Sequence, residues 1–314
     1  MSQSVDIVYK DQDKARLDLF LTEKFASKGY TRSYWLKMIK AGHVLVNNGV
    51  KKSGYALAQE DKIEIDWPDI DMTYAGKISV IYEDEEVAVL NKPAGVLTHS
   101  KGRFNPEYTV ADFVAPKFAG SKPAAENTRL GIIHRLDRQT SGVLITAKTN
   151  ASSAFLTKQF ATRDVQKFYL AVVEGLFQEE SMSIDIPLMR DPQNPKAQKV
   201  DGQGKQAKTK LEVINNRKGE NVAVVLLQPE TGRTHQLRVH LAHIGHPIIG
   251  DTLYGSTTSV AVSSQRFLLH AYALRVKLPS ETEKATYVAP IPEDMSSYIS
   301  DDELSSINKR FNQE

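Results

Sequence analysis

The apolar positions of the N-terminal part of the chain follow two helical patterns and then strand patterns. Apolar side chains recur at helical spacing over 17–25 and again over 33–40, which predicts two amphipathic helices. Two short apolar runs flank Asn48-Gly49, a pair that favours a two-residue hairpin turn. Residues 62–66 alternate strictly between polar and apolar side chains, as in a half-buried strand. The pattern predicts a small α/β module over residues 1–70.

Beyond a linker at 67–72 that carries Pro and acidic residues, short strand patterns outnumber helical ones. The predicted strands lie at 78–82, 87–90, 143–146, 168–173, 211–214 and 222–227. One helix is predicted from Asn150, whose side chain can cap it, to about Arg163, and another over 234–244. Many strands with few helices predict an α+β domain with a mixed, mainly antiparallel sheet over 71–295. We expect residues 296–314 to form a separate acidic tail.

Composition is that of an ordinary globular protein, and the lack of cysteine narrows its chemistry. The 314 residues are 41% hydrophobic and 25% charged, with no Cys. Disulfides, thiol nucleophiles and thiolate metal sites are therefore excluded. The first residues lack a signal pattern, and no apolar run approaches the roughly 18 residues of a membrane span. We expect a cytoplasmic protein without a membrane partner.

The net charge of +2 hides an uneven distribution along the chain. Residues 24–57 contain seven basic and no acidic residues, whereas acidic residues outnumber basic ones eight to three over 281–314. A run of one sign favours a polyanionic partner such as RNA, and a merely basic surface is the alternative. Residues 191–210 add five lysines to a polar stretch with Pro and Gly. This stretch is either a solvated hairpin loop or an arm that contacts RNA phosphates.

The densest cluster of reactive side chains lies between two apolar runs. It reads His134-Arg135-Leu136-Asp137-Arg138-Gln139-Thr140-Ser141-Gly142. Polar side chains beside buried strands either pair with one another or line a cleft. From the residues alone, a turn in which Asp137 pairs with a neighbouring arginine is the simpler interpretation. A catalytic carboxylate in a cleft is the alternative.

Four histidines form a second candidate cluster, for a metal ion. His235, His240, His243 and His246 lie close in sequence, with Asp251 nearby. The first two are five residues apart, which places their side chains on different parts of a helix surface. We therefore favour an interpretation without metal. A nucleotide cofactor is not expected either, because the chain has no Rossmann glycine fingerprint and no phosphate loop.

The cluster around Asp137 resembles the catalytic signature of the RluA family of pseudouridine synthases. Other stretches resemble further motifs of that family in the same order. They are Asn-Lys-Pro-Ala-Gly-Val-Leu-Thr-His at 91–99, Lys-Phe-Tyr-Leu-Ala-Val-Val-Glu-Gly at 167–175, Gly-Arg-Thr-His-Gln-Leu-Arg-Val-His at 232–240 and Arg-Phe-Leu-Leu-His-Ala at 266–271. The resemblance spans 78 to about 292. It implies the pseudouridine synthase fold and the isomerisation of uridine in RNA without a cofactor or metal.

The resemblance also implies roles for individual residues. Asp137 is expected to be the essential carboxylate, Arg266 the arginine that pairs with it and keeps it charged, and Tyr169 the ring that stacks on the target base. The phenol of Tyr169 would also serve proton transfer. Arg135 is expected to fill the space that a flipped-out uridine leaves, and Arg233 and Arg238 to buttress the cleft or contact phosphates. Further residues expected to bind substrate or RNA are His134, Thr140, Arg32, Lys37 and Lys40.

The N-terminal module resembles the alpha-L RNA-binding domain over residues 14–66. The family usually has Gly before the Asp that opens its last strand, and this chain has Glu60-Asp61 there. RNA is thus the expected partner, with large-subunit ribosomal RNA first and transfer RNA as the alternative, and the protein is expected to be a monomer. A nucleoside glycosidase that uses Asp137, or an RNA-binding protein without activity, are the other hypotheses.

Overall fold

The chain is described by a computed structural model over residues 4–26, 30–67, 76–100, 107–118, 131–256 and 266–311. These residues divide into two units. The first contains the described parts of 1–76 and 99–116, and the second those of 77–98, 117–120 and 131–314. Most of the predicted linker lies outside the described residues. The division places the C-terminal residues in the second unit, so the prediction of a separate tail is corrected.

The first unit combines a small antiparallel sheet with three helices. Its elements are β1 (Ser4–Val8), α1 (Leu17–Lys24), α2 (Arg32–Lys40), β2 (Val44–Val46), β3 (Gly49–Val50), β4 (Lys62–Asp66) and α3 (Val110–Val114). The strand order is β1-β4-β2-β3. Trp35 and Met38 of α2 are fully buried with Val44 and Ile63 of the sheet in one apolar cluster. The predicted amphipathic stretches therefore supply the core of this unit.

The hairpin between β2 and β3 turns one residue earlier than predicted. Asn47 and Asn48 both have positive φ, at 52° and 63°, and Gly49 pairs with Val46 as the first residue of β3. A two-residue turn of this kind needs positive φ at both central positions, which asparagine tolerates better than most residues.

The turn before β4 forms although glycine is absent from it. Glu60 adopts a φ of 70°, in the left-handed region that favours glycine. The buried carboxylate of Asp61 holds the turn, because it accepts hydrogen bonds from the Ala58 N–H at 2.8 Å and from Asn47 Nδ2 at 2.7 Å. These bonds offset the cost of the left-handed residue.

The second unit is built on a nine-stranded sheet with helices on both faces. Its elements are β5 (Ser79–Glu83), β6 (Val87–Lys92), β7 (Ser141–Ala147), α4 (Asn150–Ala161), β8 (Gln166–Glu174), β9 (Ser181–Asp185), β10 (Leu188–Arg190), β11 (Gln198–Val200), β12 (Lys208–Arg217), β13 (Val222–Pro229), α5 (Gln236–His243), β14 (Leu269–Lys277), β15 (Lys284–Val288), α6 (Glu293–Ser296) and α7 (Asp301–Phe311). The strand order is β5-β6-β7-β14-β8-β13-β12-β9, with β15 on β14. β10 and β11 form a separate hairpin. The predicted α+β class is confirmed.

All strand pairs of the large sheet are antiparallel except β7 with β14. Gly142, on β7, has a φ of 112°, and a Cβ placed on it would lie 2.1 Å from the Ala271 carbonyl oxygen of β14. No L-residue side chain fits in that space, since such contacts do not occur between real atoms. The two strands can therefore meet because residue 142 is glycine.

The side chains of β8 alternate between the two faces of the sheet. Phe168, Leu170 and Val172 belong to an apolar cluster with Ile307 of α7. Tyr169 and its neighbours at 171 and 173 pack in the opposite cluster, with Leu237 of α5. The alternation thus directs Tyr169 to the face of the sheet that carries α5.

Two helices of this unit begin or pack differently from the prediction. α4 is capped by Thr149, whose Oγ1 accepts the Ser152 N–H at 3.0 Å, so Asn150 is the first helical residue and not the cap. α7 occupies much of the predicted tail and is amphipathic, with Ile307 buried. Its Asn308 accepts a hydrogen bond from the Tyr272 hydroxyl at 2.7 Å. Asp301 and Asp302, in its first turn, are exposed on the outer side of this packed helix.

Candidate active site

A cavity of about 500 Å³ lies in the second unit, lined by segments that are distant in sequence. They are the turn before β7, the end of α4 and the residues that follow it, strand β8 around Tyr169, the connection from β13 to α5, and Leu269 of β14. They contribute, among others, Arg135, Asp137, Thr140, Lys167, Tyr169, Arg233, His235 and Arg238. The volume is within the range of small-ligand sites. The sheet thus brings the separate motifs of the sequence together around one cavity.

Asp137 opens the turn that precedes β7. The Thr140 N–H donates to the Asp137 carbonyl oxygen at 3.1 Å and closes the turn. The carboxylate, about one-fifth exposed, has its Oδ2 atom 3.7 Å from Arg238 Nη1 and 3.8 Å from His235 Nε2. Two nitrogen atoms of the α5 region therefore face one oxygen of this carboxylate. The simpler sequence interpretation, in which Asp137 pairs with a neighbouring arginine, is not what the structure shows.

Arg238 is held rigidly beside Asp137. Its Nε and Nη2 atoms donate to the two carboxylate oxygens of Asp251 at 2.6 and 2.8 Å. Its guanidinium also lies over the rings of Tyr254 and Phe267, at 4.8 and 4.2 Å from their centroids. Burial opposes the charge, but the hydrogen bonds and charge of Asp251, together with Asp137, raise the pKa of Arg238. The group beside Asp137 is thus a fixed cation.

Arg266 does not pair with Asp137, which corrects the sequence prediction. Its Nε and Nη2 atoms donate to Asp294 at 2.5 and 2.6 Å. Its Nη1 atom donates to the Gln139 carbonyl and to Ser141 Oγ at 3.2 and 3.1 Å. The side chain is buried at the start of β14 and anchors α6, so its donors are already used. The sequence alone could not show which arginine lies beside Asp137, since Arg238 and Arg266 both occur in motif stretches. The fold determines that it is Arg238.

Tyr169 lines the cavity from β8. Burial raises the pKa of its phenol, and the nearby charge of Asp137 raises it further. The phenol is therefore neutral at ordinary pH, and it offers a ring face and a hydroxyl without a charge. The stacking role that the motif implies for this ring stays a prediction.

His134 supports the cavity wall through bonds to the protein. Its Nε2 atom accepts the Ile145 N–H at 3.1 Å, and its ring stacks on Phe160 with centroids 4.6 Å apart. Burial, aided by the charge of Lys167, lowers the pKa of His134 to about 3. The neutral imidazole of His134 uses its acceptor nitrogen to bond Ile145, so its main role is to shape the cavity wall. At most its other ring nitrogen could form a hydrogen bond to a substrate. Thr140 lines the same wall and is almost fully buried.

Basic side chains border the cavity. Arg135 is exposed at its edge, and Arg233 is anchored by a hydrogen bond from its Nε atom to the Gln206 carbonyl at 3.0 Å. Lys167, which the sequence prediction did not single out, lies two residues from Tyr169 on β8, with its pKa lowered to about 8 by burial. Alternation along a strand is the signal that would have placed it beside Tyr169.

Lys92 was also missed, although it lies in the first motif. It is fully buried, and its Nζ atom donates to the carbonyl oxygens of Pro93, Val96 and Arg138 at 2.9, 2.9 and 3.1 Å. Burial lowers its pKa to about 7, against the attraction of Asp137. Because Arg138 follows Asp137 directly, Lys92 ties the first motif to the turn that carries the carboxylate.

The basic residues predicted on α2 differ in their surroundings. Arg32 donates from Nε and Nη2 to the buried carboxylate of Asp18, at 2.8 and 2.7 Å. Lys37 and Lys40 are exposed on the polar side of the helix. Arg32 therefore has a structural partner, whereas the two lysines face solvent.

Three of the four histidines have separate partners. His235 lies beside Asp137, His240 contacts Thr209 Oγ1 at 3.0 Å, and His246 Nδ1 donates to the Glu174 carbonyl at 2.8 Å. Within the described ranges, no group of three or more His, Cys, Asp or Glu side chains is arranged to hold a metal ion. The same ranges contain no helix of the length and apolarity that crossing a membrane requires.

Comparisons with known proteins agree with this arrangement. A family model described as RNA pseudouridylate synthase matches residues 86–243. The chain is 33% identical over 302 residues to a protein of Aquifex aeolicus called an uncharacterized RNA pseudouridine synthase, covering 92% of this chain and 94% of that protein. It is also 33% identical over 302 residues to the ribosomal large subunit pseudouridine synthase D of Xylella fastidiosa, covering 89% and 86% of the two chains.

A solved structure shares the fold as well. Human RNA pseudouridylate synthase domain containing 1 superimposes with a TM-score of 0.56 at 29% identity, covering 74% of this chain and 94% of the human one. The resemblance seen in the motifs is thereby confirmed. The chain belongs to the RNA pseudouridine synthase family and is an enzyme of that class.

Proposed function

We propose that this enzyme converts uridines in structured RNA to pseudouridine with Asp137 as its essential carboxylate, and that large-subunit ribosomal RNA is its substrate. The observation that carries the proposal is the placement of Asp137 in the cavity, opposite the fixed cation of Arg238 and near the phenol of Tyr169. The similarity to a ribosomal large subunit enzyme supports the choice of RNA. Transfer RNA is the alternative substrate.

The reaction requires a balanced exchange of bonds at one nucleotide. The bond from the sugar C1′ to N1 of uracil breaks, the base turns, and a bond from C1′ to C5 forms. C5 loses a proton and N1 gains one, so substrate and product are isomers and no co-substrate is consumed. An ionised carboxylate can attack an electron-poor carbon or stabilise a cationic sugar. Asp137 is the carboxylate that the cavity offers for this task.

The surroundings of Asp137 fit that role. Arg238 and His235 both lie nearest to Oδ2, so the carboxylate is oriented from one side. Tyr169 is neutral and can stack on uracil. A uridine in a folded RNA must leave its stack to reach such a cavity. We infer that Arg135, exposed at the edge of the cavity, occupies the vacated position.

The first unit supplies a further surface for RNA. Lys37 and Lys40 project into solvent from α2, and a same-sign cationic surface binds the phosphates of a structured RNA without reading its sequence. We propose that this unit anchors the RNA, while the cavity selects the uridine. The proposed enzyme acts in the cytoplasm as a monomer.

The test is Asp137→Asn, assayed for pseudouridine in transcribed ribosomal and transfer RNA. The amide keeps the shape of the side chain but cannot act as a carboxylate, so we expect turnover to fall by roughly 10³-fold or more. Asp302→Asn, at an exposed position in the first turn of α7, is the matched control and should keep full activity. Undiminished pseudouridine formation by Asp137→Asn would refute the mechanism.

The same assay separates the other hypotheses. A glycosidase would release free uracil, whereas an isomerase releases no base. Pseudouridine mapping in cells with and without the gene identifies the RNA. Loss of modification in transfer RNA alone would contradict the ribosomal assignment while leaving the isomerase intact.

A further inference from the structure

Tyr254 lies beside the cavity but has no part in the mechanism above. It follows α5 in the chain and is partly buried against Leu188 of β10 and Val239 of α5. Its ring carries the guanidinium of Arg238 at 4.8 Å and meets the His235 ring edge-on, with centroids 5.7 Å apart. Tyr254 therefore contacts both of the side chains that face Asp137.

The hydroxyl of Tyr254 makes two hydrogen bonds of different kinds. It accepts the backbone N–H of Gln198, on β11, at 2.8 Å. It also lies 2.8 Å from His235 Nδ1. In the part of the chain that the structure describes, this nitrogen is the one acceptor in contact with the hydroxyl. Because the hydroxyl oxygen already accepts from Gln198, its single proton is available for donation to Nδ1, and no other acceptor among the described residues competes for it.

A neutral histidine that accepts at Nδ1 carries its proton on Nε2. Burial lowers the pKa of His235, which keeps the ring neutral despite Asp137. The Nε2 atom faces Asp137 Oδ2 at 3.8 Å. An Nε2–H donor is attracted to this oxygen, whereas the other tautomer would direct a lone pair at a carboxylate.

The backbone adds to the constraint on His235. The residue precedes α5 with a φ of 54° and makes no side-chain cap to the helix. A left-handed conformation at a residue other than glycine persists where surrounding contacts maintain it. The bond to Tyr254 is such a contact, and it fixes the direction of the imidazole relative to the helix.

We propose that Tyr254 is a positioning residue that holds His235 in its Nε2–H tautomer, so that the imidazole donates to Asp137 during the reaction. The separation of 3.8 Å exceeds hydrogen-bond length. Donor and acceptor come together when substrate fills the cavity, as catalytic contacts that are long in the free enzyme commonly do. With Arg238 and His235 both on Oδ2, the other carboxylate oxygen is left for the reacting nucleotide. The inference rests on the proposed role of Asp137.

The kinetic test uses Tyr254→Phe, which keeps the ring under Arg238 and removes only the hydroxyl. We expect kcat to fall about tenfold, because the histidine then samples the wrong tautomer, while KM stays within about twofold. Tyr272→Phe removes another hydroxyl, one bonded to Asn308 away from the cavity, and should leave both constants unchanged. An unchanged kcat in Tyr254→Phe, or a loss confined to KM, would overturn the proposal.

A double variant shows whether Tyr254 acts through His235. In His235→Gln the side-chain amide can donate from the former position of Nε2 without help from Tyr254. Adding Tyr254→Phe to this variant should therefore change kcat by less than about twofold. An equal loss in both backgrounds would show that Tyr254 acts by another route, such as its bond to Gln198.

A spectroscopic measurement tests the tautomer without relying on activity. Histidine labelled with ¹⁵N distinguishes protonated from unprotonated ring nitrogens, and comparison with His235→Gln assigns the signal. We expect Nε2 protonated and Nδ1 unprotonated in the wild-type protein, with mixed tautomers in Tyr254→Phe. A wild-type signal from the Nδ1–H tautomer would refute the proposal even if Asp137 is essential. Activity of Asp137→Asn would instead refute the proposed function.

Discussion

Two buried arginine–aspartate pairs near the cavity have the same chemistry but different roles. In both pairs, the Nε and Nη2 atoms of the arginine donate hydrogen bonds to the two carboxylate oxygens of the aspartate. The remaining Nη1 of Arg238 faces Asp137, whereas that of Arg266 bonds to Gln139 and Ser141. One pair therefore holds a cation beside the proposed catalytic carboxylate, and the other secures the strand and turn around it.

Asp294→Asn tests the structural role of the second pair. The substitution leaves Arg266 buried without a counter-charge, so we expect the free energy of unfolding to fall by about 3–5 kcal/mol. Glu293→Gln alters the exposed acid next to it and should change stability by less than about 0.5 kcal/mol. Urea denaturation measures both. Equal stability of the two variants, or loss of turnover without loss of stability, would restore a catalytic role for Arg266.

At the scale of single residues, the motifs indicated Asp137 and Tyr169 but not which cation stands beside them. Arg238 and Arg266 both occur in motif stretches, and their partners Asp251 and Asp294 lie 13 and 28 residues away. Such pairings depend on how strands are ordered in the sheet. No local pattern encodes that order.

Among the elements, periodicity found strands and helices whose apolar face is regular. It found α2 and β4 within one residue, but it did not predict β14, which lies at the centre of the large sheet. β14 is buried on both faces, so polar and apolar residues do not alternate strictly along it, and a largely apolar stretch does not distinguish a strand from a helix. β1 was missed because its pairing with β4 is set by a contact across the whole first unit.

Helix α7 is expected to contribute to the stability of the second unit. Ile307 is 1% exposed in the cluster below the sheet, so Ile307→Ala should lower the free energy of unfolding by about 2–5 kcal/mol. Ser305→Ala, on the exposed side of the same helix, should change it by less than about 0.5 kcal/mol. Chemical denaturation followed by circular dichroism compares the two. Similar values would show that the helix packs loosely.

The β10–β11 hairpin and the residues after it carry two kinds of lysine. Lys199 pairs with Asp201, and Lys208 and Lys210 pair with Glu230. Lys196 and Lys205 are exposed, with no ion pair among the described residues. The second kind is therefore available to RNA phosphates.

Replacing Lys196 and Lys205 together with alanine tests the hairpin as an RNA-binding arm. A plot of log affinity against log salt concentration has a negative slope, and removing one lysine–phosphate interaction should reduce the magnitude of that slope by about 1. The slope of the double variant should therefore be shallower by about 2. Lys309→Ala on the exposed side of α7 is the control. Filter binding at several salt concentrations gives the slopes. An unchanged slope would favour the alternative of a solvated loop.

Across the whole molecule, catalysis is expected in the second unit and RNA anchoring in the first. The cavity and its charged residues belong to the second unit, and the exposed lysines of α2 belong to the first. The basic run at 24–57 predicted RNA contacts in the first unit, and the motifs predicted the chemistry in the second. The packing of the C-terminal residues could not be predicted from their charge, because it depends on the apolar side of α7, which is buried in the core of the second unit.

Lys37→Ala combined with Lys40→Ala tests the anchoring role of the first unit. For a long structured RNA we expect KM to rise severalfold with kcat unchanged, because phosphate contacts contribute binding in ground and transition states alike. For a short stem-loop that fills only the cavity, both constants should stay unchanged. Equal effects on the two substrates would show that the lysines do not act as a separate anchor.

The close approach of β7 and β14 at Gly142 has a consequence for the dimensions of the cavity. Asp137 is attached to the start of β7, and Tyr169 lies on β8, the next strand beyond β14. Any side chain at 142 would push β7 away from β14, since its first carbon would meet the Ala271 carbonyl. The carboxylate and the phenol would then move apart. The distance between the two groups that we propose act on the nucleotide is thus set in part by the absence of a side chain at residue 142.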